Sequence, residues 1–383
     1  MSGAFQELTQ RLQEARQPAP EPRTPRAYRC SCGRPVYFRN SFCIACNTTL
    51  GYLPGRLAAL LPMQADNGEW RVDGEAGGPR YKFCANREPA ACNWMLEAQD
   101  PASLCFSCRL SRTIPDLSFE ANRLAWQRIE FAKRQLVSQL LGLGVPVEQR
   151  VEGAAWSGAA PGLAFDFLRP QAGQPVLTGH LNGVVTLNIE EADDAERERR
   201  RSALREPYRT LLGHLRHEVG HYYWDRLVAG SHWHAPFRGL FGDERADYGA
   251  AIARNIAQDP PPDWSQRHVS AYASAHPWED WAETWAHYLH MVDTLDTALS
   301  FGLHAMHLEV ETEPFKPAVL EHEDAEFLQF VNSWVDLTVL MNAMSRSMGQ
   351  HDFYPFVLSA HAVRKLHFVH RVVCAAAGAA RNS

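Results

Sequence analysis

The chain has 383 residues, 45% of them hydrophobic and 21% charged, with a formal net charge of −6. That length admits two domains and a substantial core, and the composition is that of an ordinary soluble globular protein. The mild acidity argues against a protein built chiefly to bind nucleic acid, and no apolar run approaches the roughly 18 residues of a membrane span.

The first stretch, "MSGAFQELTQRLQEAR", is polar and carries acids, so it does not read as a signal peptide. A cytoplasmic location is expected, without membrane association. In that reducing compartment clustered cysteines point to metal rather than to disulfides. "QPAPEPRTPR" (17–26) is proline-rich and reads as a linker. Eight of the nine cysteines follow, between Cys30 and Cys108. Cys30-x-Cys32 and Cys43-x2-Cys46 form two knuckles, each able to offer two thiolates to a tetrahedral zinc. Gly33 suits the tight turn of the first. Cys84-x7-Cys92 and Cys105-x2-Cys108 form a looser second set. Two structural zinc sites are therefore expected. Four thiolates leave no open coordination position, so these metals hold the fold and do no chemistry. A redox role is disfavoured because no βαβ pattern surrounds the CxxC pairs. Cys374, alone near the other end, reads as a small buried apolar residue. The same region carries Arg26, Arg29, Arg34, Arg39 and Arg56 with Tyr28, Tyr37, Phe38 and Phe42. That composition suits either a strand-binding ribbon or the packing of a small ribbon core.

"RTIPDLS" (112–118) reads as the hinge out of the cysteine region. The expected division is a polar segment and linker at 1–26, a zinc-ribbon region at 27–112 and a second domain at 113–383. Helical spacing predicts a helix over 122–144 that stops at glycines, and β-branched residues predict a strand over 183–190. "ERERRR" (196–201) reads as a solvated charge run.

The stretch "LLGHLRHEVGHYYWDRL" (211–227) lies in a predicted helix over 206–229, with Pro207 in its first turn and Gly230 just past its end. His217 and His221 are i and i+4, so both imidazoles face one side and can meet on one zinc. Glu218 lies about 100° round from His217, able to reach a metal-bound water without binding the metal. His214 is either a substrate contact or, more simply, a polar packing residue. Asp225 either orients His221 or makes a surface ion pair.

A catalytic zinc needs a third protein ligand and an open position. "FGDERADY" (241–248) offers Asp243, Glu244 and Asp247; "HPWEDWAETWAHYLH" (276–290) offers Glu279, Asp280, Glu283 and His287. The second segment has the better logic, because Pro277 suits a helix start and Glu279 and Glu283 then share a face. One of them can bind zinc while the other accepts a hydrogen bond from a zinc histidine and sets its tautomer. The apolar stretch 332–370 is expected to complete the core, with "RSMGQHDFYPF" either walling the cleft or, more simply, packing and turning the chain.

Glu279-x3-Glu283 after HExxH resembles the glutamate-zincin arrangement of thermolysin-like peptidases. A closer local similarity is to anthrax lethal factor. In "SAYASAHPWEDWAE", Tyr272 stands seven before Glu279, and Glu283 four after it. That resemblance implies Glu279 as the zinc ligand, Glu283 as the carboxylate behind a zinc histidine, and Tyr272 as a hydroxyl that stabilises the transition state. The chain as a whole is similar to a bacterial family of zinc-binding metallopeptidases with an N-terminal zinc ribbon. The similarity rests on "CSCGRPVYFRNSFCIACNTTLGY", "TGHLNGVVTLNIEEADDAERE", "EPYRTLLGHLRHEVGHYYWDRL", "FGDERADY", "HPWEDWAETWAHYLHMVDTLDTA" and "RSMGQHDFYPF".

The implied fold is α+β, a mainly helical zincin-like domain with a small sheet behind a four-cysteine ribbon region. The implied activity is peptide hydrolysis with Glu218 as general base and Tyr272 as oxyanion donor. His217, His221 and Glu279 would hold one catalytic zinc. Cys30, Cys32, Cys43 and Cys46 would hold one structural zinc, and Cys84, Cys92, Cys105 and Cys108 a second. The expected partners are a peptide or protein substrate and a protein bound through the ribbon. The strand "GVVTLNIE" either aligns a peptide by edge pairing or is an internal strand. Two other readings remain open: a ribbon-led interaction module with an idle zincin domain, and a nucleic-acid-binding ribbon protein.

Overall fold

The structure is a computed structural model that describes residues 27–54, 59–151, 162–171, 173–203, 209–303, 310 and 312–382. The proline-rich segment 17–26, Arg56 and Pro207 lie outside the described residues.

The cysteine region is built from short antiparallel strands. Tyr28–Arg29 pairs with Pro35–Val36 around the first knuckle. Leu50–Leu53, Ala59–Asp66, Glu69–Val72, Tyr81–Phe83 and Met95–Glu97 then form a five-stranded sheet in sequence order. The tightest hairpin turns at Asn67-Gly68, both at positive φ (51° and 84°), the two-residue turn whose twist matches that of its strands. This region is not a separate bead. The phenol of Tyr52 meets Ser138 Oγ at 2.5 Å, and Arg134 donates to the carbonyl oxygens of Ala90 and Ala91. One hydrophobic core runs from Tyr28 to Val373.

The stretch expected to be a hinge begins inside a strand. Ser111–Thr113 pairs parallel with Ala164–Leu168, so sheet hydrogen bonds join the cysteine region to the helical part of the chain. The four strands lie in the order Gly179–Leu181, Val184–Asn188, Ala164–Leu168, Ser111–Thr113. Val184–Asn188 is hydrogen-bonded on both sides. It therefore cannot offer a free edge to a peptide; the edge strands are Gly179–Leu181 and Ser111–Thr113. The two are joined through Asn182 and Gly183, again both at positive φ.

Helices make up most of the remainder. Glu120–Leu143 matches the predicted helix and buries Trp126, Ile129, Leu136, Val137 and Leu140. Asp194–Ala203 carries the charge run, paired internally through Glu196–Arg200 and Glu198–Arg201. The histidine helix is shorter than the sequence suggests. It runs Leu211–Tyr223, capped by Thr210 Oγ1 on the Gly213 amide, and passes into a π-turn at Trp224–Val228. The glutamate helix, Pro277–Ser300, starts at the expected proline, and the His276 side chain caps it. Ala325–Ser347 and Ala360–Asn382 complete the core from the far side. Between them Tyr354 is buried against Trp334 and His287 while Arg346 pairs with Asp352. "RSMGQHDFYPF" thus packs and turns the chain. Cys374 is exposed, contrary to its reading as a core residue, because it falls on the outer side of the last helix near His370. The architecture is α+β, mainly helical with small sheets behind a four-cysteine region. Among the described residues no helix is long and apolar enough to cross a membrane.

Candidate metal centre

The histidine and glutamate helices pack directly on each other. Gly220 permits the close approach: a Cβ there would lie 3.0 Å from Ala282 Cα and 3.3 Å from its carbonyl oxygen. The indole of Trp281 donates to the Gly220 carbonyl at 2.8 Å, tying the helices at the same point. Because i and i+4 share a face, this contact sets His217 and His221 opposite Glu279 and Glu283.

Ligand atoms of His217, His221 and Glu279 all lie within 4.8 Å of one another, and all three residues are buried. His217 Nε2 is 3.0 Å from Glu279 Oε2, and His221 Nε2 is 3.6 Å from Glu279 Oε1. Behind His217, Nδ1 lies 2.7 Å from Glu283 Oε1, and Ser270 Oγ donates to the other oxygen of Glu283 at 2.6 Å. A carboxylate only accepts, so the Nδ1 hydrogen points at Glu283. In the neutral ring Nε2 is then a lone pair aimed at the Glu279 carboxylate. Two acceptors facing each other in a buried space require a cation between them. Without metal that cation is a proton. Burial opposes it, but Glu279 and Glu283 outweigh burial and hold the His217 pKa well above its ordinary value. His221 has no such partner behind it, since its Nδ1 is buried without a hydrogen bond, and burial brings its pKa down to about 3. Two neutral nitrogens and one carboxylate oxygen are a donor set that zinc accepts readily.

Glu218 stands beside this cluster without joining it. Its Oε2 is buried with no hydrogen bond, and burial raises its pKa above the ordinary carboxyl range against the pull of His217 and His214. Tyr272 approaches from a short 3-10 turn, its ring 6.0 Å from that of His217. No hydrogen bond among the described residues engages its hydroxyl.

The other acidic candidates are occupied elsewhere. Asp243 is held by Arg245, Glu244 by Arg238 and His234, and Asp247 caps the following helix on the Ala250 amide. Asp280 forms a buried pair with Lys365 at 2.5 Å, and His287 meets the Tyr354 hydroxyl at 2.5 Å. Asp225 does not orient His221; it faces His180 instead, at 4.0 Å. His214 sits as a partly buried polar residue, its ring bound to Glu191.

Tyr248 is a site residue that the sequence did not single out. Its hydroxyl donates to Glu279 Oε1 at 2.7 Å. The acids of "FGDERADY" are the natural candidate ligands by residue type, yet its tyrosine is the residue that reaches the site. Asp247 fixes it there by capping the helix that Tyr248 opens.

The cysteines gather as two clusters of four, Cys30, Cys32, Cys43, Cys46 and Cys84, Cys92, Cys105, Cys108. Sγ separations are 3.5 Å for Cys30–Cys46 and 3.8 Å for Cys32–Cys43, Cys92–Cys105 and Cys92–Cys108. Those lengths are too long for disulfides and match the edge of about 3.8 Å of a tetrahedron drawn with ordinary zinc–sulfur bonds.

An α+β chain with two four-cysteine clusters and a buried His–His–Glu cluster carries the donor sets of a zinc-binding protein. Comparison with known proteins gives the family. The chain belongs to the family described as "Putative zinc-binding metallo-peptidase", whose model matches residues 122–372, and residues 27–119 match a zinc-ribbon domain. Uncharacterized proteins of Mycobacterium bovis and of two strains of Mycobacterium tuberculosis are 40% identical over 350 residues, covering 91% of this chain and 95% of each relative. No solved structure matches.

Proposed function

We propose that the chain is a zinc peptidase of the glutamate-zincin type, holding one zinc at His217, His221 and Glu279 and one in each cysteine cluster. The observation that carries this reading is the pair of opposed lone pairs at His217 Nε2 and Glu279, with the unpartnered Glu218 carboxylate alongside. Zinc at such a site lowers the pKa of a water toward about 7 and polarises a carbonyl. The chain's own groups do the rest. Glu218 takes a proton from the attacking water and returns it to the leaving amine. Glu283 keeps His217 in the tautomer that leaves Nε2 free. The uncommitted Tyr272 hydroxyl donates to the oxyanion, while that of Tyr248 is spent on Glu279. The edge strand Gly179–Leu181 lies against the histidine helix and suits an extended peptide that adds a strand to the sheet.

Glu218→Gln tests the reading. It keeps the shape and should leave zinc bound, while hydrolysis of casein or a mixed peptide library falls on the order of 10²-fold or more. Identical cleavage by the zinc-loaded native and variant proteins overturns it.

A ribbon contact with a partner is a second reading, supported by one observation. Tyr37, Phe42 and Ile44 are exposed in the segment that carries the first four cysteines, where Arg29, Arg34 and Arg39 are exposed as well. A protein with an acidic surface fits this face better than nucleic acid, given the chain's net charge of −6. A pull-down with salt titration, comparing native protein with Tyr37→Ser/Phe42→Ser, tests it. Eight thiols kept for metal suit a reducing compartment, and we place the protein in the cytoplasm.

A further inference from the structure

We infer that the cleft between the cysteine region and the start of the histidine helix binds an amphipathic anion, an acidic head group carried on an apolar body. The inference stands apart from the peptidase reading and holds whether or not the chain cuts peptides.

A cavity of about 530 Å³ opens there, within the range of roughly 300–1,000 Å³ usual for small-molecule sites. One wall is a stripe of the long helix Glu120–Leu143, on which Leu124, Arg128, Phe131 and Gln135 recur at intervals of three and four. Arg39 and Ala91 come from the cysteine region, and Thr210, Leu211 and Leu212 from the start of the histidine helix. The apolar part of this surface is incompletely covered. Leu124 is 47% exposed, and Phe131, Leu211 and Leu212 are half-buried. An apolar body that displaces water from them gains the free energy of burial.

The charge lining the cavity is unbalanced. Among its residues are four arginines and one acid, Asp194. Arg197 pairs with Asp194, which leaves Arg39, Arg128 and Arg134. Arg128 is exposed and donates to the Ala192 carbonyl at 2.9 Å. Asp193 feels the charge of Arg128, but its carboxylate accepts from the amides of Ala195 and Glu196. Arg134 is 2% exposed. Its Nη2 donates to the Ala90 and Ala91 carbonyl oxygens, while Nη1 is buried without a hydrogen bond. A guanidinium keeps its charge, and a buried charge calls for a partner. The Cys92 thiol senses that charge but gives Nη1 no hydrogen bond.

The histidine helix adds amide donors to the same cavity. A helix start leaves its first four amides without intrahelical acceptors. Thr210 Oγ1 caps that of Gly213, and the Thr210 carbonyl takes that of His214. The amides of Leu211 and Leu212 remain, at the positive end of a 13-residue helix. Free amides, two exposed arginines and a buried, incompletely satisfied guanidinium converge on one space beside exposed leucine. An acidic head fits the first set, and an apolar body fits Leu124 and Phe131.

The test uses the full zinc-loaded protein and 8-anilinonaphthalene-1-sulfonate, an aromatic sulfonate that fluoresces in apolar surroundings. Native protein should bind it saturably, and bind the uncharged parent N-phenyl-1-naphthylamine about 10-fold more weakly or worse, the scale of one lost hydrogen bond to a charged group. Leu124→Glu sets a carboxylate on the exposed wall and should abolish binding of the sulfonate. Arg39→Gln/Arg128→Gln changes two exposed side chains and should weaken it about 10-fold or more. Arg134→Gln should weaken it too; should that variant fail to fold, the two exposed ones decide. Decanoate and decyl phosphate should displace the dye, the tighter of them naming the head group, and inorganic phosphate at the same concentration should not. Equal affinity for the uncharged dye overturns the inference. So does a sulfonate affinity within twofold of native in both Leu124→Glu and Arg39→Gln/Arg128→Gln. Displacement by inorganic phosphate as readily as by decanoate overturns it as well, since a bare anion would then suffice. Binding is read without turnover, so each of these failures leaves the peptidase reading untouched.

Discussion

Each residue at the candidate centre is defined by which of its atoms is already spoken for. Glu279 and Glu283 are chemically alike and a turn apart, yet one faces both histidine Nε2 atoms and the other stands behind His217. Glu279→Ala should therefore lose the zinc of this site, whereas Asp247→Ala, which removes a helix cap but no ligand, should keep it; metal analysis of the purified variants decides. The two tyrosines should separate in the same way. Tyr248→Phe removes the hydrogen bond that orients Glu279 and should weaken zinc binding about 10- to 100-fold, read by competition with a chelator. Tyr272→Phe should leave zinc affinity alone and slow turnover, because its hydroxyl holds no ligand in place. Equal effects on metal affinity would remove the distinction between them.

At the scale of elements, two helices and one crossing point bring the centre together. Gly220 admits the backbone of the glutamate helix so closely that a larger side chain must push it away. Gly220→Leu should cost about 1–3 kcal/mol in urea unfolding and lower zinc affinity as well, since overpacking displaces the glutamate helix. Gly239 is the control. A Cβ there meets nothing within 4 Å, so Gly239→Ala should be neutral or stabilising by up to about 1 kcal/mol. The sheet adds its own constraint: Gly179–Leu181 is the edge strand on the side of the histidine helix, and its neighbour Val184–Asn188 is paired on both sides.

Over the whole molecule, the cysteine region and the helical part share a strand pairing and a core, so cutting the chain at 112 would sever a sheet. The metal content is better partitioned by substitution. Native protein should carry three zinc ions. Cys43→Ser and Cys105→Ser should each lose one from the ribbon region, and His221→Ala one from the helices. Strong chelation should lower thermal stability more than loss of the helical zinc alone, because small four-cysteine units rely on metal to fold. A native protein carrying two zincs or fewer after full loading would overturn that count.

Sequence by itself determined whatever depends on local spacing. Two CxxC pairs, the i, i+4 histidines of HExxH, the proline that opens the glutamate helix and the period of residues 122–144 are all contained in short segments whose geometry follows from the backbone repeat. Long-range contact decided what spacing leaves open. Tyr248 reaches Glu279 across 31 positions, Glu191 reaches His214 across 23, and His217 meets Glu283 across 66. The same applies to Asp225 and Cys374, whose surroundings are set by which face of a helix another element covers. A side chain's nearest neighbours on its own helix are set by rise and turn; its partners on another element are set by packing of the whole core, and no segment holds that information alone.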